Sequence, residues 1–129
     1  MAKKSKSKKV LIIEDDKFLA KMLSRMLESH KYEVVLASNG KEGLVKASSD
    51  DINLILLDIM LPDIDGFDLL ETLKTQDKTK KTPVIIISNL GQPEDMQQGR
   101  SLGAKDYLVK SDLSLDDVVK KVRKYLPPT

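Results

Sequence analysis

The chain of 129 residues contains no cysteine, no tryptophan and a single histidine, and its only aromatic residues are two phenylalanines and three tyrosines. The lack of cysteine excludes disulfide bonds and thiolate chemistry, and it agrees with a cytoplasmic location. No apolar run approaches the roughly 20 residues of a membrane-spanning helix. The apolar run at Val10 meets acidic residues directly after Ile13, which is too early for a signal peptide. We therefore expect a cytoplasmic protein that does not contact the membrane.

Positive charge is concentrated at the amino terminus. The formal net charge is +2, and removing the five lysines of the first nine residues leaves −3 for the rest of the chain. These are Lys3, Lys4, Lys6, Lys8 and Lys9. A lysine- and serine-rich segment with almost no apolar residues cannot form a core, so we predict a disordered, solvating tail over residues 1–8. The alternative is a weak contact with nucleic acid or membrane, which we disfavour because the tail has no arginine or aromatic residue.

Strand-like and helix-like segments alternate along the rest of the chain. Short apolar runs bounded by turn residues are typical of strands buried on both faces of a parallel sheet. The predicted strands are Lys9–Ile13, Tyr32–Ala37, Asn53–Leu57, Pro83–Ile87 and Lys105–Val109. Five helices alternate with them, which predicts one doubly wound α/β domain over residues 9–126 with right-handed crossovers. Residues 127–129 are predicted to be a short tail.

The predicted helices carry apolar residues at helical spacing. The first is expected to bury Phe18, Leu19, Met22, Leu23, Met26 and Leu27, and the last Leu115, Val118, Val119, Val122 and Leu126. Ser114 and Asp117 have the spacing of a capping box at the start of the last helix. The fourth helix contains Gly99, which costs about 1 kcal/mol relative to alanine in a helix interior. We predict that this helix is the least stable of the five.

Chemically active side chains stand at the point where four of the predicted strands end. They are Glu14, Asp15 and Asp16 after the first, Asp58 after the third, Ser88 after the fourth and Lys110 after the fifth. Ligands of open parallel sheets bind beyond the carboxyl ends of the strands. Carboxylates, a hydroxyl and an ammonium at one edge suit Mg²⁺ together with a phosphoryl group. The three consecutive acids could also be a solvated start of the first helix, with Asp16 as its N-cap.

Four segments in order and in register resemble the receiver domain of bacterial two-component response regulators. They are VLIIEDD, LILLDIMLPDIDGFDLL, PVIIISN and GAKDYLVK, and the resemblance covers about Lys8 to Leu126. Asp58 follows Asp15 by 43 positions and precedes Ser88 by 30 and Lys110 by 52, close to the spacing of the family. The resemblance implies a flavodoxin-like fold with five helices and a five-stranded parallel sheet in the order 2-1-3-4-5.

The same resemblance implies the roles of the residues at the sheet edge. Asp58 is expected to be the phosphoacceptor, because a carboxylate can attack phosphorus and form an acyl phosphate. Glu14, Asp15, Asp58 and the backbone carbonyl of Met60 are expected to hold Mg²⁺. Lys110 supplies a positive charge to the phosphoryl oxygens.

Ser88 and Tyr107 are expected to form a switch, because Tyr107 stands where the family carries its switch aromatic. By this analogy, phosphorylation draws Ser88 toward the phosphoryl group and Tyr107 turns inward. The alternative interpretation of Tyr107 is a half-exposed aromatic residue on an edge strand.

These features predict a stand-alone receiver in a phosphorelay. Its donor is expected to be a phosphohistidine of a sensor histidine kinase or a histidine phosphotransfer protein. The surface of the fourth helix, fifth strand and fifth helix is expected to contact an unknown output protein. We expect no turnover of other substrates and no direct binding of nucleic acid.

Three departures from the family pattern bear on geometry and kinetics. Ser111 replaces the usual proline after the lysine, and we favour a trans bond there because a cis bond before a non-proline residue costs about 2.5–4 kcal/mol. Asn89 stands where a small residue is usual. Met60 and Leu90 each lie two residues beyond a site residue, and neither side chain can orient a water molecule by hydrogen bonding.

Two other functions stay open at this point. The first is an interaction module with a receiver fold that works without phosphorylation. Asn89 and Ser111 keep this alternative open, and the intact set of site residues argues against it: Glu14, Asp15, Asp58, Ser88 and Lys110. The second is a phosphatase of the haloacid dehalogenase type, which needs a second acid where this chain has Met60. The segment Asp63–Gly66 has part of a calcium-loop pattern, but the later bidentate acid has no matching position. We interpret that segment as a turn.

Overall fold

Five parallel strands form one sheet in the computed structural model, which describes residues 8–128. They are β1 (Lys9–Ile13), β2 (Glu33–Ala37), β3 (Leu54–Leu57), β4 (Val84–Ser88) and β5 (Asp106–Val109). Their order in the sheet is β2-β1-β3-β4-β5, so the predicted fold and strand order are confirmed. The order reverses between β1 and β3, which is where ligands of such sheets bind.

Five α-helices cover both faces of the sheet. They are α1 (Lys17–Ser29), α2 (Gly40–Ser49), α3 (Gly66–Thr75), α4 (Pro93–Ser101) and α5 (Leu115–Tyr125), and a 3₁₀ turn, Lys110–Asp112, precedes the last. Alternate residues of β1 enter different cores, because successive strand side chains point to opposite faces. Val10 and Ile12 pack with α1 and α5, whereas Leu11 and Ile13 pack on the side of α2 and α3.

Side chains that cap the helices hold the loops at the carboxyl edge of the sheet. Asp16 Oδ1 accepts a hydrogen bond from the Leu19 N–H at 3.1 Å, which confirms Asp16 as the N-cap of α1. Ser114 and Asp117 exchange hydrogen bonds of 3.2 and 3.0 Å at the start of α5, so the predicted capping box is also present. These caps satisfy N–H groups that have no partner within a helix.

The predicted buried face of α1 includes two residues that are exposed in the structure. Phe18 is 74% exposed and Met22 is 37% exposed, whereas Leu23 and Leu27 are buried. A helix turns by about 100° per residue, so Phe18 lies roughly 140° around the axis from Leu23. It therefore faces away from the core, and the expectation that Phe18 and Met22 are buried was wrong.

Lys8, which we assigned to the tail, accepts a backbone hydrogen bond from the Glu33 N–H at 2.8 Å and so extends the edge of the sheet. The rest of the predicted basic tail, residues 1–7, and residue 129 of the predicted carboxyl-terminal tail lie outside the described residues. No helix within residues 8–128 combines the length and apolar character needed to traverse a bilayer.

Gly99 lets α4 approach the sheet closely. It is buried, and a Cβ atom added to it would lie 2.6 Å from Cδ1 of Ile86 and 3.1 Å from Cδ2 of Tyr107. Glycine is therefore required at this position for packing, although it lowers the stability of the helix. Around it, Met96 and Leu102 are the partly buried apolar residues that attach α4 and its carboxyl end to the core.

Gly99→Ala should destabilise the protein, although alanine favours a helix by about 1 kcal/mol. Overpacking against Ile86 and Tyr107 costs about 1–3 kcal/mol, so we expect a net loss of up to about 2 kcal/mol in urea unfolding. Ser101→Ala, at an exposed position of α4, is the control and should be neutral or stabilising. Stabilisation by Gly99→Ala equal to that of the control would contradict the packing argument.

Candidate functional site

The ends of the strands place the predicted site residues side by side. The N–H of Glu14 donates to the Ala37 carbonyl at 2.9 Å, and the N–H of Asp58 donates to the Ile13 carbonyl at 3.0 Å. The parallel hydrogen-bond ladder thus continues beyond β1 and β3 to the two acids. Because the backbone at these acids is held by the sheet, their side chains start from defined positions.

Three carboxyl groups meet at this edge. One oxygen each from Glu14, Asp15 and Asp58 lies within 4.8 Å of the others. Glu14 and Asp58 are each only 3% exposed, whereas Asp15 is exposed. The sequence-based grouping of these three residues is therefore reproduced by the structure.

Lys110 bridges the two buried acids. Its Nζ lies 2.8 Å from Oε1 of Glu14 and 3.0 Å from Oδ2 of Asp58. Burial lowers the pKa of Lys110, but the hydrogen bonds to Glu14 and Asp58 outweigh burial and raise the pKa above its ordinary value. The ammonium is therefore charged at neutral pH.

The buried charges do not balance. Burial raises the pKa of Glu14 to about 7, and the negative charge of Asp58 adds to this shift, although Lys110 and the N–H of Asp16 oppose it. One ammonium contacts the two buried carboxyl groups, and the exposed Asp15 adds a third carboxyl group beside them. Hard carboxylate oxygens with excess negative charge are the ligands that Mg²⁺ takes in proteins, so the residues present fit that ion.

Hydrogen bonds from the following loops orient the remaining polar atoms. Asp58 Oδ1 accepts from the Met60 N–H at 3.0 Å, while its other oxygen contacts Lys110. Ser88 is fully buried at the end of β4, and its Oγ accepts from the Leu90 N–H at 3.1 Å.

Tyr107 points inward. It is 4% exposed, and its hydroxyl donates to the Leu90 carbonyl at 2.6 Å. Burial raises the pKa of Tyr107 above its ordinary value. The interpretation of Tyr107 as a half-exposed edge residue is wrong, and Gly99 provides the space into which its ring packs.

The peptide bond between Lys110 and Ser111 is trans, as expected from the missing proline, and the described residues contain no cis peptide bond. The chain turns instead through the short 3₁₀ segment that starts at Lys110. Lys110 nevertheless reaches Asp58, so loss of the proline does not remove the ion pair.

Sequence reasoning missed the part played by Asp63. Its two carboxylate oxygens accept from the N–H groups of Gly40 and Lys41 at the start of α2. The partners are backbone groups more than 20 positions away, so no local pattern of side chains signals the contact. A groove of about 560 Å³ runs beside this loop, and Asp15, Met60 and Leu90 are among the residues that line it.

The comparisons with known proteins agree with this geometry. Residues 10–123 match the sequence pattern of the family described as "Response regulator receiver domain". The chain belongs to this family. It is similar to the transcriptional regulatory protein HprR of Escherichia coli, with 39% identity over 118 residues, which cover 92% of this chain and 51% of that protein. It is also similar to the DNA-binding dual master transcriptional regulator RpaA of a Synechocystis species, with 36% identity over 94% of this chain and 50% of that protein.

The receiver therefore spans about half the length of these curated relatives. Among solved structures, the chemotaxis response regulator CheY4 of Vibrio cholerae has a TM-score of 0.87 and 30% identity, over 94% of this chain and all (100%) of that one. A CheY-like receiver domain protein of Methanospirillum hungatei has a TM-score of 0.85 and 29% identity, over 92% of this chain and 93% of that one. This chain is thus a receiver domain of the kind found in two-component response regulators.

Glu14→Gln should stabilise the metal-free receiver at about pH 8 far more than at about pH 5. The pKa of Glu14 is about 7 in the folded state against an ordinary 4.5, so the folded state binds the proton more tightly. Stability is therefore lost as pH rises through this window. At about 1.4 kcal/mol per pKa unit, we expect a difference on the order of 1–3 kcal/mol.

Urea unfolding in EDTA at the two pH values measures this difference. Glu28→Gln, which neutralises an exposed acid of α1, is the control for the loss of one negative charge. A gain for Glu14→Gln that is the same at both pH values would contradict the assignment of a raised pKa.

Proposed function

We propose that this receiver accepts a phosphoryl group on Asp58 from a phosphohistidine of a sensor histidine kinase or a histidine phosphotransfer protein. The observation that carries the proposal is the bridge from the Lys110 ammonium to the buried carboxylates of Glu14 and Asp58, with Asp15 beside them. A strand-end carboxylate next to a fixed cation and further hard ligands is suited to phosphoryl transfer.

In this reaction an oxygen of Asp58 attacks the phosphorus, the new O–P bond forms, and the P–N bond to the donor imidazole breaks. Glu14, Asp15, Asp58 and the backbone carbonyl of Met60 would hold Mg²⁺, which supplies charge neutralisation at the phosphoryl oxygens. Lys110 already contacts Asp58 Oδ2 at 3.0 Å. It can move its contact to a phosphoryl oxygen without leaving the site, because the acyl phosphate forms on the carboxylate that it binds.

Ser88 and Tyr107 would pass the change to the surface formed by α4, β5 and α5. Ser88 lies at the end of β4, and the loop that follows it supplies the Leu90 carbonyl to the Tyr107 hydroxyl. A hydrogen bond from the Ser88 hydroxyl to a phosphoryl group would pull on this loop. The pull would change the contact of Tyr107 and the packing of α4 around Gly99.

We propose that the receiver acts in the cytoplasm, on an output protein that contacts the surface formed by α4, β5 and α5. The relatives HprR and RpaA are named as transcriptional regulators, but the similarity reaches only about half of each. A haloacid-dehalogenase-type reaction is disfavoured because Met60 stands where that chemistry needs an acid.

A receiver that signals without phosphorylation is the remaining alternative, and labelling of Asp58 decides between the two. Asp58→Asn should abolish the uptake of one phosphoryl group from acetyl phosphate in Mg²⁺, because an amide cannot form the acyl phosphate. Intact mass measures the uptake. Asp16→Asn is a matched control, since asparagine is as good an N-cap as aspartate, and it should be labelled like the wild type. Labelling of Asp58→Asn at the wild-type rate would refute the acceptor, and an unlabelled wild type would favour the alternative.

The phosphorylated state should be long-lived. Met60 and Leu90 line the same groove as Asp15, and neither side chain can hold a water molecule in line with the acyl phosphate. Replacing both with polar residues, as Met60→Asn with Leu90→Glu, should accelerate hydrolysis on the order of tenfold, since orientation of the attacking group lowers the barrier.

The measurement is the decay of the phosphorylated protein after removal of the donor. Val45→Asn, at an apolar residue of α2 that is 65% exposed, should leave the decay unchanged. Unchanged or slower decay in the double variant would show that these side chains do not limit hydrolysis.

A further inference from the structure

The loop between β3 and α3 bears directly on the proposed acceptor, because its third residue, Met60, donates its N–H to Asp58 Oδ1. The two ends of the loop are tied together. Met60 and Asp65 form an antiparallel bridge, and the N–H of Gly66 donates to the Ile59 carbonyl at 2.9 Å. These bonds fix the conformation of the loop. Its position relative to the sheet depends on contacts with other elements.

Asp63 supplies the main polar contact of this kind. Its Oδ1 accepts from the Gly40 N–H at 2.8 Å and its Oδ2 accepts from the Lys41 N–H at 2.9 Å. These N–H groups belong to the first turn of α2, where they have no partner within the helix. The hydrogen bond from Lys41, with that from Gly40, holds the pKa of Asp63 below its ordinary value. The carboxylate is therefore ionised at neutral pH, as a strong acceptor must be.

An apolar contact next to Asp63 supports the same arrangement. Ile64 packs so closely on Gly40 that a Cβ atom there would overlap its side chain. The start of α2 also has its own local cap, since Asn39 Oδ1 accepts from the Glu42 N–H at 2.8 Å. Asn39 thus satisfies the third N–H of α2 and Asp63 the first two, and the bonds to Asp63 also fasten the β3–α3 loop to a second element.

We propose that Asp63 is a positioning residue of the acceptor site. It holds the β3–α3 loop against α2 and thereby sets the position of the Met60 backbone, whose N–H orients Asp58. The inference rests on the proposed function, in which the Met60 carbonyl is also a ligand for Mg²⁺. Loss of Asp63 should weaken Mg²⁺ binding while leaving the acceptor carboxylate in place.

Titration of the unphosphorylated receiver with Mg²⁺ tests the inference. Binding is followed through the backbone amide signal of Met60 in NMR spectra. Asp63→Ala should raise the dissociation constant for Mg²⁺ roughly tenfold, the lower end of the effect of losing a group that supports a ligand. Asp63→Asn retains one acceptor oxygen, so its dissociation constant for Mg²⁺ should lie between those of Asp63→Ala and the wild type. Asp68→Ala, which removes an exposed acid from the first turn of α3, is the control for loss of charge and should match the wild type.

A second readout separates positioning from a general structural role. Uptake of phosphoryl groups from acetyl phosphate by Asp63→Ala should be slow at limiting Mg²⁺ and return to the wild-type rate at saturating Mg²⁺. Gly40→Ala, which should displace Ile64, provides an independent variant with the same expected result if Asp63→Ala does not fold.

Mg²⁺ affinity equal to that of the Asp68→Ala control, with or without a lower melting temperature, would overturn the inference. If the wild type takes up phosphoryl groups and binds Mg²⁺ while Asp63→Ala does both equally well, only the role of Asp63 fails. If the wild type itself neither binds Mg²⁺ nor is labelled, the proposed function fails, and this inference fails with it.

Discussion

The ion bridge from Lys110 to Glu14 and Asp58 is the interaction on which the rest of the site depends. Two carboxyl groups that are 3% exposed lie beside each other at the sheet edge, and a buried charge without a partner is strongly destabilising. Lys110 reduces this cost, but the single ammonium lies beside three carboxyl groups. This excess of carboxyl groups supports the proposed binding of Mg²⁺ and of a phosphoryl group at the site.

The sheet makes this arrangement possible. Backbone hydrogen bonds place Glu14 and Asp58 on neighbouring strands, and β5 brings Lys110 to the same edge from the far side of β4. The apolar strands that precede these residues are buried on both faces, so the edge cannot shift without disturbing two cores. Rigidity of the sheet therefore holds like charges together against their repulsion.

Two loops beyond the strands make the other contacts of the site. The loop after β3 carries Met60 and is tied to α2 through Asp63. The loop after β4 joins Ser88 to the hydroxyl of Tyr107 through Leu90. The first loop holds the Met60 N–H on Asp58, and the second connects Ser88 to the ring that packs on Gly99. In the proposed function, a phosphoryl group on Asp58 that accepted a hydrogen bond from Ser88 would act on α4 through these contacts.

The sequence by itself determined the alternation of strands and helices, because hydrophobic periodicity and capping residues are local signals. It also determined which strand ends carry Glu14, Asp58, Ser88 and Lys110, since these residues directly follow or end apolar runs. The tertiary structure decided which apolar side chains of α1 are buried, because the width of a buried face depends on what packs against it. It likewise decided the inward position of Tyr107 and the attachment of Asp63 to α2. Both depend on contacts with residues distant in the chain, and such contacts produce no local sequence pattern.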